Sequence, residues 1–337
     1  MGLPGKDPRL TPYGGGNYGT PTELQDAFLT PTPVFFMRSN GPIPEIDPVA
    51  WRLEVGGLVE RPQSFSLVDL KALPPAAMTV FLECAGNSRT HFDPGAEGTP
   101  WLNDAVSNAI WTGTRLHHVL DAAGVRDGAV DVVAQGADFD DMKRGLPVAN
   151  ALDRNTLLVW EMNGAPLTVP HGAPVRMIVP GWGGIASTKW LVSLTVLDHP
   201  FTGFYNASNY VMISETGAKL SPVREMPPKS FIVSPLTGTR VSCDPVTVQG
   251  FAWSGFGAVA TVEISVDDGP WEPAAIAERA GRFSWVRFSA RVNVTPGRHR
   301  IRSRATDDRL LTQPQRPIWN AKGYQMNAIQ DIEVIVE

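Results

Sequence analysis

The sequence has 337 residues, 43% of them apolar, so the chain can bury a large core, and its length predicts about two domains. Its 29 basic and 34 acidic residues give a formal charge of −5, and neither sign forms a long run, which argues against nucleic acid or an anionic membrane as the partner. No apolar run approaches the roughly 20 residues that are needed to cross a bilayer.

Residues 1–33 are rich in proline and glycine and show no sustained hydrophobic periodicity, which predicts an extended N-terminal arm. The first part of this arm, Met1–Tyr18, lacks the apolar core of a signal peptide. The sequence as written therefore favours the cytoplasm, and a periplasmic location stays open if an export signal was removed.

Residues 34–215 alternate short apolar stretches with turns, which predicts a mixed α and β domain in which strands dominate. Ser66 and Asp69 are spaced to cap one short helix, and Gly124 is placed to end a second helix. The predicted strands and the second helix are Trp51–Val55, Met78–Leu82, Val130–Ala134, Leu157–Trp160, Val175–Val179, Leu191–Leu197 and the helix Leu116–Ala123.

Residues 216–229 contain one glycine and three prolines and little apolar content, which predicts a linker. Residues 230–337 show strands of period two with a hairpin turn at Asp267–Gly269, which predicts an all-β sandwich of the immunoglobulin-like type. The predicted fold class is therefore α+β, with a mixed first domain followed by an all-β second domain.

The two cysteines, Cys84 and Cys243, lie far apart and show no spacing typical of a zinc, haem or iron–sulfur site or of a disulfide framework. Cys84 follows an apolar strand and precedes small residues and Arg89, where backbone can approach a ligand closely and positive charge favours a thiolate. Taken alone, the residue types leave open a buried structural cysteine, a nucleophile or a metal ligand. A single thiolate that binds a soft metal needs a cofactor to supply the remaining ligands.

The segment Glu83–Asn87 reads Glu-Cys-Ala-Gly-Asn, and further motifs accompany it in a fixed order. Together these motifs resemble the sulfite oxidase family, from about Phe35 to the C-terminus. The accompanying motifs are Phe36–Arg38, Gly41–Pro44, Glu161–Gly164, His171–Gly172, Pro174–Arg176, Pro180–Gly181, Lys189–Leu191, Gly250–Gly255 and Pro317–Asn320.

The resemblance implies one molybdopterin, whose two sulfurs bind molybdenum together with Cys84. It also implies a homodimer formed through residues 230–337. The positions implied to bind the cofactor are Arg38, Asn40, Cys84, Asp138, His171, Arg176 and Lys189. The positions implied to form the catalytic pocket around the substrate anion are Cys84, Arg38, Arg89, Lys322, Trp101 and Tyr210.

The activity implied by the resemblance is a two-electron oxo transfer to an anionic sulfur compound, with sulfite to sulfate the first candidate. The chain departs from animal and plant members at Ser39-Asn40, Ser88 and Ala186-Ser187, and Lys322 stands where they carry arginine. These departures leave sulfane sulfur or another oxyanion such as nitrate open as the substrate. Because the sequence has no haem-attachment or iron–sulfur motif, electrons are expected to pass to an external acceptor, a cytochrome or oxygen.

Two functions of other classes remain as alternatives. Gly181–Ala186 fits a relaxed GxGxxG/A pattern, which would indicate an NAD-dependent oxidoreductase, but that fingerprint needs a following helix and a strand is predicted there. A non-enzymatic binding module would account for the second domain but not for the first 215 residues. Analysis for molybdenum and pterin distinguishes all three classes.

Overall fold

The computed structural model describes residues 5–242 and 245–337. Cys243 lies outside these ranges, so the prediction that it forms no disulfide concerns a residue outside the described part of the chain. Strands dominate the described residues, and the four α-helices, α1 (Leu67–Ala72), α2 (Leu116–Ala123), α3 (Val148–Ala151) and α4 (Phe204–Ala207), are short. None of the helices described has both the length and the apolar character to span a membrane.

The first part of the chain contains fourteen strands, most of which form two five-stranded sheets. Its strands are β1 (Thr11–Pro12), β2 (Tyr18–Gly19), β3 (Leu53–Gly57), β4 (Gln63–Phe65), β5 (Pro75–Glu83), β6 (Val106–Arg115), β7 (Asp131–Gly136), β8 (Lys143–Pro147), β9 (Leu157–Met162), β10 (Ala165–Pro166), β11 (Arg176–Ile178), β12 (Leu191–Leu197), β13 (Val211–Ile213) and β14 (Lys219–Pro222).

Sheet 1 has the strand order β10-β9-β6-β5, and β11 also pairs with β9. Sheet 2 has the order β4-β3-β12-β7-β8, in which only β3 and β12 run parallel. Helices α1 and α2 contribute Leu70, Leu116 and Leu120 to one buried cluster with residues of sheet 2. Burying these side chains supplies the hydrophobic driving force that holds the helices on the sheet.

The predicted helix caps are confirmed. Ser66 accepts a hydrogen bond from the Asp69 backbone, and the Asp69 side chain accepts one from the Ser66 backbone, which is a capping box. Gly124 ends α2 with a φ of 70°, a conformation that a residue with a Cβ rarely adopts. Local hydrogen bonding therefore fixes both helix ends.

The second part of the chain forms one path of eight hydrogen-bonded strands in the order β15-β17-β20-β19-β18-β21-β22-β16. The two ends of this path pack on each other around a shared cluster that includes Val248, Phe288, Ile301 and Val334. The strands are β15 (Lys229–Ser234), β16 (Arg240–Val241), β17 (Val246–Trp253), β18 (Val259–Val266), β19 (Glu272–Arg279), β20 (Val286–Val292), β21 (Gly297–Asp307) and β22 (Asp331–Val336).

Residues 216–229, predicted as a linker, contain one short strand and the first residue of another. Lys219–Pro222 forms β14 and pairs with β13, and the tight turn between them contains Gly217 at a φ of 81°. Lys229, at the end of the predicted linker, is already the buried first residue of β15. The glycine that indicated a linker in fact makes a hairpin turn possible, because it accepts a positive φ without strain.

Candidate active site

Two adjoining cavities meet at the end of β5, and the three residues Arg38, Cys84 and Tyr210 line both. All the predicted cofactor positions line the first cavity, namely Arg38, Asn40, Cys84, Asp138, His171, Arg176 and Lys189. All the predicted catalytic positions line the second cavity, namely Arg38, Cys84, Arg89, Trp101, Tyr210 and Lys322. The fold therefore gathers residues from segments far apart in the sequence at one place.

Cys84 is buried at the first turn after β5, a strand that pairs with β6 along its whole length. Its backbone NH donates to the Ala105 carbonyl at 2.9 Å, and its own carbonyl accepts from the Asn87 NH at 2.9 Å. The Asn87 side chain also bridges this turn by accepting from the Ala105 NH at 3.0 Å. The turn is thus fixed on both sides, and the Cys84 thiol has a defined position where the cavities join.

The first cavity is cationic, and its charged groups are held by neutral backbone and hydroxyl oxygens. Arg176 donates to the carbonyls of His171 at 3.0 Å and Ser187 at 2.9 Å. Lys189 donates to the Ser39 hydroxyl at 2.7 Å and to the Pro170 carbonyl at 3.1 Å. No salt bridge among the residues described involves Arg38, Arg176 or Lys189.

Burial disfavours the charged forms of these groups. It lowers the pKa of Arg176 to about 9 and, with the neighbouring cations, lowers the pKa values of Lys189 and His171 well below their usual range. Burial likewise raises the pKa of Asp138. A bound anion would reverse the effect on the cations, because it favours their charged forms.

Three buried polar atoms of this cavity have no hydrogen-bond partner: Arg176 Nε, Asp138 Oδ1 and the Thr188 hydroxyl. Buried polar groups of native proteins are nearly always paired, so orphaned donors and acceptors around a cationic cavity indicate a polar, anionic ligand. A pterin ring offers donors and acceptors, its phosphate offers the negative charge, and Cys84 lines the same cavity. The residues present therefore fit a molybdopterin.

Asn40, which lines the first cavity, links two residues that line both cavities. Its side-chain carbonyl accepts from the Arg38 guanidinium at 2.6 Å and from the Tyr210 hydroxyl at 3.3 Å. Arg38 also donates to Asn17 at 3.1 Å and to the Ser39 carbonyl. This arrangement fixes Arg38 and Tyr210 relative to each other beside Cys84.

Arg89, in the second cavity, is clamped by chain segments that leave no room for a Cβ. A Cβ at Gly86 would lie 2.3 Å from the guanidinium, one at Gly98 2.8 Å and one at Gly323 2.7 Å from the Arg89 side chain. The guanidinium donates to the carbonyls of Thr99 at 2.7 Å and Lys322 at 3.0 Å. Arg89 is 7% exposed, so it presents a fixed, mostly desolvated positive charge to the cavity.

The second part of the chain contributes Lys322 and Tyr324 to this cavity. Tyr324 stacks on Tyr210 at 5.3 Å between ring centroids, and its hydroxyl donates to Asn209 at 2.6 Å. Burial raises the pKa of Tyr324 to about 12, so the phenol stays protonated. Trp101 forms a fully buried wall, 4.5 Å between centroids from Tyr13 of the N-terminal arm.

Sequence reasoning missed Tyr324, Asn209 and Lys6, the last of which contacts His171 at 3.0 Å. Tyr324 and Asn209 lie in irregular segments whose local patterns indicate no function. The one sequence feature that could have indicated Tyr324 as a site residue is its position two residues after Lys322. Nothing in the proline- and glycine-rich arm distinguishes Lys6 from a surface lysine.

The structure does not support the dinucleotide-binding alternative. Gly184–Ala186 forms a single 3-10 turn, and β12 begins at Leu191. The strand that precedes this segment, β11, pairs antiparallel with β9, whereas a dinucleotide-binding unit needs a helix that crosses between parallel strands.

The sequence matches two protein families over most of its length. Residues 40–205 match the oxidoreductase molybdopterin binding domain, and residues 221–337 match the Mo-co oxidoreductase dimerisation domain. The match to the mitochondrial sulfite oxidase of Mus musculus is 36% identical and covers 94% of this chain but 63% of that protein. The chain therefore spans less than two thirds of the length of that relative. The sulfite oxidase of Gallus gallus is 33% identical, with 91% of this chain and 73% of that protein covered.

Among solved structures, the sulfane dehydrogenase SoxCD from Paracoccus pantotrophus has a similar fold. The TM-score is 0.88, the sequence identity is 29%, and the match covers 97% of this chain and 86% of that chain. The mostly β architecture described above is thus that of a known molybdopterin oxidoreductase family, in both of its parts.

Proposed function

The chain belongs to the sulfite oxidase family, and we propose that it oxidises an anionic sulfur compound, with sulfite to sulfate as the first candidate reaction. One observation carries the proposal. The first cavity, cationic and lined by orphaned polar groups, meets the second cavity, lined by Arg38, Arg89 and Lys322, at the Cys84 thiol. A cofactor in the first cavity would therefore present its metal to an anion in the second.

The residues of the first cavity would hold the cofactor. Arg176 has the forked geometry that suits a phosphate, and Lys189 supplies a compact positive charge. Asp138 would accept hydrogen bonds from the pterin ring through the oxygen that has no protein partner. When bound through Cys84, the molybdenum centre would supply two-electron oxo transfer to the substrate sulfur.

The residues of the second cavity would bind and orient the substrate. Arg38 and Arg89 are held by neutral acceptors, so their charge is available to an anion, and Lys322 lies on the same cavity. Charges fixed in advance in a desolvated pocket stabilise developing negative charge without reorganisation. The Tyr210 hydroxyl donates to Asn40, and Trp101 closes the cavity against water.

A sulfane sulfur compound is the second candidate substrate. The likeness to the sulfane dehydrogenase, with a TM-score of 0.88, favours it. The side chains Ser39, Ser88 and Ser187 at the positions where the chain departs from animal and plant members also favour a changed substrate. Steady-state rates with sulfite and thiosulfate, at equal acceptor concentration, would rank the two classes.

The experiment that tests the function begins with the metal. We expect one molybdenum and one pterin per chain, measured by elemental analysis and by fluorescence of the oxidised pterin. Anaerobic stopped-flow mixing with sulfite should then reduce the centre once and stop, because the chain's two cysteines cannot hold an iron–sulfur cluster. Adding a cytochrome or oxygen should restart turnover. Protein that carries neither molybdenum nor pterin would refute the assignment.

The domain organisation is part of the proposal. Residues 1–33 would serve as an arm, residues 34–215 as the catalytic domain and residues 230–337 as an immunoglobulin-like sandwich that forms a homodimer. The match of residues 221–337 to a dimerisation domain supports this assembly. Light scattering should give twice the chain mass of 36.5 kDa, and a monomer at micromolar concentration would contradict it.

A further inference from the structure

The N-terminal arm brings one cation to the first cavity from its outer side. The Lys6 ammonium donates to the carbonyls of Thr32 at 2.9 Å and Phe35 at 2.5 Å, and it lies 3.0 Å from Nε2 of His171. These partners account for all three hydrogens of an ammonium group. Phe35 and His171 both line the first cavity, so Lys6 is a second layer behind its wall.

The rest of the arm is built so that Lys6 reaches this place. The Asp7 NH donates to the Pro33 carbonyl at 3.0 Å, and Tyr18 and Met37 exchange backbone hydrogen bonds at 2.9 and 2.8 Å. The arm thus folds back along residues 32–37, the segment that leads into Arg38. Lys6 joins the start of the arm, this returning segment and the His171 turn.

The position of Lys6 is electrostatically unfavourable without a ligand. It carries no salt bridge among the described residues, and the charged groups behind His171 are Arg176 and Lys189, both cations. Burial lowers the pKa of Lys6 to about 7. An anion in the first cavity would attract these cations and so offset their mutual repulsion. The attraction would include Lys6, although the imidazole of His171 lies between Lys6 and the cavity.

Lys6 also contacts the imidazole ring of His171 at Nε2. Burial and the adjacent cations lower the pKa of this ring well below the usual value, which favours the neutral form. When the neutral ring accepts at Nε2 from the Lys6 ammonium, it carries its hydrogen on Nδ1. The contact thus links Lys6 to a ring that lines the cavity.

We propose that Lys6 is a positioning residue of the cofactor site, a latch that couples closure of the arm at residues 5–10 to binding of the cofactor phosphate. This inference rests on the proposed function, since the anion it invokes is the molybdopterin phosphate. The coupling is reciprocal: the phosphate stabilises the latched arm, and the latched arm slows loss of the cofactor.

The test compares Lys6→Met, Lys6→Arg and the matched control Arg9→Met in the loaded enzyme. Arg9 is an exposed cation of the same arm whose side chain pairs with Asp7 and, among the described residues, does not line the cavity, so its removal changes the arm's charge without touching the cavity. We expect Lys6→Met to release pterin and molybdenum roughly 10- to 100-fold faster on dilution, the range for losing one hydrogen bond to a charged group. Lys6→Arg should restore much of the retention, and Arg9→Met should match the parent.

Limited proteolysis gives a second readout that does not depend on activity. The arm of cofactor-free protein should be cut faster than that of the loaded parent, and Lys6→Met should remove this difference. Equal release rates and equal protection in parent and Lys6→Met would overturn the latch while leaving the function intact. A parent that contains no molybdenum and pterin would overturn the function and the latch together.

Discussion

Two regions beside Cys84 bury charged side chains, one with partners and one without. At residue 83, the Glu83 carboxylate accepts from Trp253 at 2.8 Å, from Asn87 at 2.9 Å and from Lys229 at 3.4 Å. Lys229 in turn donates to the Ser88 hydroxyl at 2.6 Å. In the first cavity, by contrast, the buried cations have only neutral acceptors, and several polar atoms have no partner.

The difference separates structural charge from functional charge. Lys229 and Trp253 belong to the second part of the chain, so the Glu83 cluster fastens that part directly beneath the Cys84 turn, and it is complete without a ligand. In the first cavity, buried polar atoms stay without a partner. Substitutions in the two regions should therefore change different properties of the protein. For one pair of substitutions, the expected changes in the free energy of unfolding can have opposite signs.

The largest expected effect is at the point where the cavities meet. Cys84→Ser should lower sulfite turnover by more than about 10³-fold, because it removes the cysteine that lines both cavities in the described part of the chain. The fold should remain, since serine is close in size and the turn is fixed by backbone contacts. Turnover measured per chain, with a melting curve as the control for folding, checks this, and an unchanged rate would remove Cys84 from the site.

The second effect is on stability. Lys229→Met should lower the free energy of unfolding by about 3–5 kcal/mol, because it leaves the buried Glu83 charge unpaired. In cofactor-free protein, Lys189→Met should leave that free energy unchanged or raise it, because it removes a buried cation whose charged form burial disfavours and which forms no salt bridge among the described residues. Urea unfolding of both variants measures the contrast. A loss of stability in cofactor-free Lys189→Met as large as in Lys229→Met would contradict the distinction between the two regions.

The third effect concerns the second cavity. Arg89→Ala should raise the KM for sulfite and lower kcat/KM by roughly 10²-fold, since a charge-assisted contact to a desolvated anion is lost. Arg298→Ala removes an exposed arginine paired with Glu333 and is the matched control. Steady-state kinetics of loaded enzyme, corrected for molybdenum content, provides the measurement. Parental kinetics in Arg89→Ala would mean that the anion binds elsewhere.

The smallest effect is a pH dependence of stability. Folding lowers the pKa of Lys6 to about 7, so between pH 7 and its unfolded value near 10.5 the unfolded chain binds more protons than the folded chain. The stability of cofactor-free protein should therefore rise with pH across this window, and below pH 7 the penalty should be present in full. Melting temperatures at pH 7, 8 and 9 should rise by a few degrees more in the parent than in Lys6→Met.

The cofactor-loaded enzyme supplies the comparison for this pH series. A bound phosphate would raise the pKa values of Lys6, His171, Arg176 and Lys189, so the slope of stability against pH should flatten. Equal slopes of stability against pH in loaded and cofactor-free protein would show that an anion in the first cavity does not change the pKa of Lys6.

The sequence predicted those parts of the fold that depend on local patterns. The ends of α1 and α2 follow from Ser66, Asp69 and Gly124, whose hydrogen bonding or backbone freedom acts within a few residues. The site positions followed from motifs, and the structure gathers them around two cavities. Their individual roles stay predictions, to be decided by the variants above.

The rest depended on contacts that no local pattern records. Lys6 meets His171 across 165 residues, and Tyr324 meets Asn209 across 115. The sequence of residues 216–229 did not indicate the β13–β14 hairpin for a related reason, because a glycine in a hairpin turn and a glycine in a linker look alike until the partner strand is known. The residue type and its sequence neighbours indicate local structure. The contacts of Lys6 and Tyr324 depend instead on which distant segment of the chain packs beside each residue.

The clamp around Arg89 has a consequence for the order in which the enzyme is made. The Arg89 side chain donates to the Lys322 carbonyl and packs closely against Gly323. The segment that contains Lys322 and Gly323 leads into β22. During synthesis, every residue of the first cavity leaves the ribosome more than a hundred residues before this segment does. The residues of the first cavity are thus made before the segment that completes the clamp around Arg89, and that clamp can form only once the two parts of the chain have docked.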